Sequence, residues 1–278
     1  MVPPAGALRV LAFIPFLLSL AAAGPAEAWT WFPPERTLQA PLADPREPGL
    51  GFAVVEDAII SARVGHAFAL GRTGNGGGGD FEVGLDGSAW LWFSSHPRLN
   101  FPLETVDGTF GVWAGARGER LGWRVRLSHW SGHLGDGASM IEARRIVYSR
   151  ETLGALVFLE PNPHLELYAG PALFVRADPP TQAFQFQLGG ELRPDRGIRR
   201  SRETRPAHVD PFLALDFRAK AENGMRLNQS YRAGVRLAGA PGGNALRIAL
   251  GYDAGKSERG QEYRRTERFI SLGVGFGD

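Results

Sequence analysis

Cysteine is absent from all 278 residues. That excludes disulfides, thiolate metal sites and a cysteine nucleophile, and it suits a chain that passes through an oxidising compartment. Lysine is nearly absent as well. Lys220 and Lys256 are the only two, so arginine supplies almost all of the 31 basic residues that face 29 acidic ones. The balance of +2 is not gathered into a basic patch or helix, which argues against a nucleic-acid partner. Beyond residue 28 there is no window of eighteen apolar residues, so no transmembrane helix is available. Residence in a membrane would have to rely on strands, because only helices and closed barrels satisfy every backbone group in lipid.

The first residues have a different character. Arg9 is the one charge before an apolar run from Val10 to Ala23; Gly24 and Pro25 break the run, and Ala26-Glu27-Ala28 supplies a small-x-small cleavage pattern. The run is short for a membrane span and has the flanks of a signal peptide, so cleavage is expected after Ala28 and export through the periplasm with it. Residues 29–50 carry prolines at 33, 34, 41, 45 and 48 and read as an extended lead-in, neither helix nor central strand. Residues 51–278 form the remaining unit.

In that unit one theme recurs: ten to fourteen residues of alternating character, then turn residues. Trp123, Val125 and Leu127 alternate with Arg124, Arg126 and Ser128; Phe184, Phe186 and Leu188 with Gln185, Gln187 and Gly189; Leu246, Ile248, Leu250 and Tyr252 with Arg247, Ala249, Gly251 and Asp253. The segments number about twelve, within a range of ten to fourteen. A soluble sandwich would alternate too. Strand length, a polar face that mixes Arg, Asp and Gln with Gly, and aromatics near strand ends (Trp92, Trp123, Tyr168, Tyr252) favour an all-β, closed antiparallel transmembrane barrel. The last strand alternates through Ile270, Leu272, Val274 and Phe276, although Gly277 and Asp278 follow the terminal aromatic.

Trp123 to Asp136 reads W-R-V-R-L-S-H-W-S-G-H-L-G-D. This run resembles that of an uncharacterised family of bacterial outer-membrane proteins, catalogued as a domain of unknown function, whose members carry a His-x-Ser-Ser-His-Leu-Gly-Asp-Glu-like motif. Leu42 to Pro48, Val64 to Leu70, Tyr252 to Ser257 and Gly260 to Tyr263 resemble that family's lead-in, early strand and final loop. Gly132 stands where a second Ser is usual, and Gly137 where an acidic residue follows. The resemblance implies the barrel and the outer membrane, and no activity.

His129-Trp130-Ser131-Gly132-His133 is the sharpest candidate site. Alternation continued from Trp123 puts His129, Ser131 and His133 with Val125 and Leu127 on the lipid side. With the C-terminus taken as periplasmic, this end of the strand reaches the outer leaflet. Outer-membrane phospholipases and lipid A deacylases are similar here, with a His-x-Ser pair on an outward face. A His two positions from a Ser can accept its proton and make it an acyl nucleophile. Asp136 or Glu142 is the sequence-local acid that would orient His129. His129, His133 and Asp136 as a metal site lack a defined geometry, and neither metal nor cofactor is expected. Gly251 to Ser257 mimics a phosphate loop but is one residue short and lacks a following helix. Gly74 to Asp80 reads as a flexible connection, and the arginine-rich stretch from Pro194 to Pro206 as a solvated loop or a contact for lipid phosphates.

Inward Arg124, Arg126, Arg232, Arg236 and Arg247 are expected to pair with Glu191, Asp210, Asp216 and Asp253 and so to plug a small lumen. Three functions stay open at this point. They are, in order, a structural or lipid-binding barrel, an outer-leaflet acyl hydrolase using His129, Ser131 and Asp136, and a narrow channel. Outer-membrane lipids or lipopolysaccharide, and the barrel-assembly machinery during insertion, are the expected partners.

Overall fold

A computed structural model describes residues 29–56, 59–74, 80–94, 101–137, 145–193, 208–238 and 245–277. The expected cleavage after Ala28, Glu142, residues 75–79 of the glycine-rich loop and the whole of the 194–206 loop lie outside them. The elements are β1 (Thr30–Trp31), β2 (Leu50–Val55), β3 (Ile59–Thr73), β4 (Asp80–Phe93), β5 (Leu103–Arg117), β6 (Leu121–Leu134), β7 (Tyr148–Asn162), β8 (Leu165–Asp178), β9 (Phe184–Leu192), β10 (His208–Lys220), β11 (Arg226–Ala238), β12 (Ala245–Lys256) and β13 (Thr266–Gly277). Each strand from β2 to β13 pairs antiparallel with its sequence neighbour, and β13 returns to β2 with Leu272 opposite Val54. Twelve strands therefore close a ring that has no free edge. β1 adds two residues alongside the end of β3, at Arg72 and Gly71.

The alternation read in the sequence sets the two faces. Phe110, Leu250 and Leu272 point outward and are more than half exposed, while Arg124, Gln185 and Asp216 point inward and are buried. An apolar exterior around the whole ring is costly in water and favourable in lipid. Tilted strands of about 9–11 residues cross a bilayer, and β3 to β8 have 14 or 15. No helix among the described residues is long and apolar enough to cross.

Of the aromatics expected in girdles, Trp123 and Tyr252 do face outward. Trp92 and Tyr168 do not, because each has a polar partner inside. Arg259 stacks over the Trp92 ring at 4.9 Å, and the Tyr168 hydroxyl donates to Asp216 at 2.9 Å.

The lead-in is extended, as its prolines require, but it runs inside the barrel. Thr37 donates to Glu82 from its backbone at 2.7 Å, and Leu38 packs on Leu156, Phe158 and Tyr168. The Leu42 amide donates to Glu191 at 2.5 Å, and Asp44 accepts from Arg218 at 2.7 Å and Gln187 at 2.8 Å. Arg46 sits over Trp130 at 4.6 Å and pairs with Glu258, and Glu47 pairs with Arg124. The chain then returns to Leu50 and enters the wall. Charge pairing does fill the lumen, by a route that differs in part from the expected one. Arg232 meets Asp253 at 3.0 Å and Arg236 meets Asp210 at 3.7 Å on adjacent strands. Arg126 forks onto Asp86, and Arg124 is taken by the lead-in. Asp216 accepts from Tyr168 and Gln187, and Glu191 pairs with Arg193.

From the other end, the β12–β13 connection folds inward. Gly260 N donates to Asp107 at 2.9 Å, and Gln261 donates to the carbonyls of Gly132 and Ile146 at 2.5 and 2.9 Å. In the same connection, burial alone would raise the Glu258 carboxyl. Arg46, Lys220 and Arg218 outweigh that and hold it well below the usual carboxylate range.

Candidate active site

β6 carries the site on its outward face. Trp130 and Gly132, the alternate residues, point into the lumen, where Trp130 packs with Tyr148 and Tyr263. Gly132 is required there, because a Cβ would stand 2.6 Å from Asp107 Oδ1 and 2.8 Å from Gly260 Cα. A second Ser at this position would collide with the inward loop. The site strand is thus braced from behind by the loop that Gln261 anchors.

Pleating leaves His129, Ser131 and His133 on the outer surface. Register with the neighbouring strands sets their surroundings. Ser131 lies between Gly108 of β5 and Ser149 of β7, and His129 lies between Phe110 and Glu151. A Cβ on Gly108 would meet only the Ser131 hydroxyl, at 3.6 Å, so the hydroxyl is open on that side. The His129 ring stacks on Phe110 with centroids 4.9 Å apart, and its Nδ1 is 2.7 Å from Glu151 Oε1. Ser131 Oγ is 3.2 Å from His133 Nε2.

Ser131 and His133 are therefore joined, and His129 is joined to a carboxylate. That carboxylate is Glu151, which sequence reasoning did not select; Asp136 is exposed in the turn after β6. Glu151 is 22 residues from His129 in the chain but directly opposite it in the sheet. The β6–β7 register was the signal that could have found it. Among the described residues no group of three metal-ligating side chains forms, so His129, His133 and Asp136 do not converge.

A Ser hydroxyl with imidazoles on either side, one of them held by a carboxylate, contains the parts of an acyl-transfer centre: nucleophile, base and orienting acid. Its position on the outer wall gives access from a surrounding lipid layer rather than from the lumen.

A closed, lumen-filled ring with an apolar exterior defines the outer-membrane β-barrel class. Within that class the chain belongs to the family described as "Protein of unknown function (DUF1207)", matched over residues 34–277. Among solved structures it is similar to outer membrane phospholipase A from Escherichia coli. The TM-score is 0.55 at 12% identity, over 88% of this chain and 95% of that one. It also matches LpxR from Salmonella typhimurium, at TM-score 0.41 and 10% identity over 83% of this chain and 100% of that one. The beta domain of the Bordetella autotransporter BrkA gives 0.40 and 17% over 83% and 99%. No curated protein matches the sequence. At these identities the likeness is one of fold.

Proposed function

We propose that this barrel is an outer-leaflet lipid acyl hydrolase with Ser131 as nucleophile, His129 as general base and Glu151 as the carboxylate that orients His129. The observation that carries the reading is the Glu151–His129 contact, made across two strands beside a surface serine. With Nδ1–H donated to Glu151, His129 presents Nε2 as acceptor. Side chains two apart on one strand face are separated by about 7 Å at their base, so a rotation of Ser131 about χ1 carries Oγ from His133 toward His129. Catalytic hydrogen bonds are often longer before substrate binds.

In the reaction Ser131 Oγ attacks the ester carbonyl and its proton passes to His129 Nε2. The tetrahedral intermediate collapses, the C–O bond to the leaving alcohol breaks, and the alcohol takes that proton. Water, deprotonated by the same imidazole, then releases the fatty acid and restores Ser131. Several features support a lipid substrate. The site faces outward, and Phe110 beside it is exposed. With both ends of the ring's chain at the periplasmic side, β6 runs toward the outer leaflet. Outer membrane phospholipase A shares the fold. Phospholipid or the lipid portion of lipopolysaccharide is the substrate class, reached after export through the periplasm and insertion by the assembly machinery.

The test uses folded protein in detergent micelles containing phospholipid or lipid A, with fatty acid release as the readout. Wild type is expected to release fatty acid and Ser131→Ala to fall to background. Folding of both is checked by their gel mobility before and after boiling. No release from folded wild type on either lipid overturns the proposal and leaves a binding or structural barrel.

A further inference from the structure

On the outer wall the row that holds His129 continues one strand beyond Glu151. Phe110, His129, Glu151 and Arg176 are consecutive cross-strand partners from β5 through β6 and β7 to β8. Unbroken alternation would not put the arginine there. Leu173 faces outward opposite Leu153, and Phe174 faces inward opposite Thr152. Regular pairing would then set Val175 against Glu151, and Arg176 against the buried Arg150 inside the lumen. A β-bulge intervenes. The register shifts between Glu151 and Thr152, so Arg176 takes the place opposite Glu151 and Ala177 faces Arg150 instead. Val175 and Arg176 are both exposed, as two residues that share one partner should be. Such bulges re-aim a side chain and are over-represented beside active sites.

The charge delivered in this way has no counter-ion on the protein surface described. Among the described residues Arg176 makes no hydrogen bond or ion pair, and Glu151 is turned to His129 at 2.7 Å. An arginine on the lipid face is costly at the bilayer midplane and tolerated near the interface. Arg176 stands two residues before β8 ends at Asp178, which sets it at headgroup level. There a guanidinium meets lipid phosphate, which its fork grips in bidentate geometry.

The spacing to Ser131 suits one lipid. β8 is two strands from β6, about 10 Å, and Ser131 lies two residues, about 7 Å, beyond the row of His129 and Arg176. The two backbones are therefore about 12 Å apart, and the long arginine stem closes much of that gap. What remains matches a lipid whose acyl ester and phosphate sit on neighbouring carbons.

We propose that Arg176 binds the phosphate of the lipid whose acyl ester is presented to Ser131, so that the substrate is a phosphate-bearing lipid and not a neutral acylglycerol. The assignment rests on the reading of Ser131 as nucleophile. Glycerophospholipid and lipid A share the required chemistry.

The test uses folded Ser131→Ala protein in detergent, which lacks the nucleophile, mixed with ether-linked phosphatidylcholine, with lipid A or with the matching dialkylglycerol. Native mass spectrometry counts the lipid retained. At least one phosphate-bearing probe should be retained over dialkylglycerol, and which one it is identifies the source. Adding Arg176→Gln should lower that retention about tenfold, the worth of a charge-assisted hydrogen bond. Arg176→Lys keeps the charge and loses the fork, so it should fall between the two and serves if Arg176→Gln does not fold. Arg268→Gln should change nothing, since Arg268 is exposed near the same end of the ring but on β13. Equal retention of dialkylglycerol overturns the proposal, as does equal retention with and without the Arg176 substitutions, or equal loss in Arg268→Gln. Fatty acid release by protein that keeps Ser131 is read separately. No release together with Arg176-dependent retention removes the nucleophile and leaves the phosphate site; release without that retention removes the phosphate site alone.

Discussion

At the residue scale the site turns on which imidazole serves Ser131. His133 holds the hydroxyl in the structure, but only His129 has a carboxylate on its far nitrogen. His133→Ala should therefore keep most of the turnover, whereas His129→Ala and Glu151→Gln should each lose on the order of 10²–10⁴ in rate, the range set by general-base catalysis and by loss of an orienting acid. Steady-state rates of fatty acid release separate the two, and equal loss in His133→Ala would make His133 the base. The glycine behind them carries a different prediction. Gly132→Ala sets a methyl against backbone at Gly260, so it should destabilise the barrel by about 1–3 kcal/mol, as overpacking does. Urea unfolding in detergent or lipid measures it. The motif itself was legible, since alternation alone assigns His129, Ser131 and His133 to the outer face. Its acid was not, because a register 22 residues away depends on where the β6–β7 connection ends.

At the scale of elements the lead-in matters most. Its five prolines announce an extended segment and say nothing of where it goes. The charges that hold it, Asp44, Arg46 and Glu47, find partners on β6, β10 and the β12–β13 connection, which are distant in sequence. Glu258 is the anchor that ties the segment to the opposite end, through Arg46 and through Lys220 at 2.7 Å. Glu258→Gln leaves two buried cations facing a neutral amide. Breaking a buried pair costs about 3–5 kcal/mol, reduced here because Glu258 is partly exposed. The expected outcome is new trypsin cleavage at Arg46 in the folded barrel, which wild type resists. The pH dependence has a definite sign. A carboxyl held low in the folded state contributes stability above its ordinary value of about 4.5 and loses it only as pH falls through the depressed one. Wild-type resistance at Arg46 should accordingly persist at pH 4, while Glu258→Gln should be cleaved there and at pH 7 alike, with an acid-active protease replacing trypsin at the lower pH.

At the scale of the molecule, the fold was almost wholly legible. Strand-length alternation, repeated about twelve times with turn residues between, admits a closed ring as readily as a sandwich. Strand length, the mixed polar face and the aromatics near strand ends were the grounds for the ring, and the last of these held only in part. Trp92 and Tyr168 went astray for a physical reason: an aromatic with a polar edge fits a charged lumen as well as an interface, and periodicity near a strand end does not separate the two. The ring also explains how a chain of this size does without a conventional core. Its apolar residues face outward, and its interior is held by ion pairs and by one threaded segment.

The central claim is that each strand shows lipid one face and the lumen the other. The absence of native cysteine allows a direct measurement, with single cysteines placed in turn from Leu246 to Tyr252 on β12, fluorescently labelled and reconstituted in vesicles of brominated lipid. Quenching should be strong at 246, 248, 250 and 252 and weak at 247, 249 and 251. Quenching that fails to alternate, or that is absent at every position, would contradict the barrel and everything placed on its outer wall.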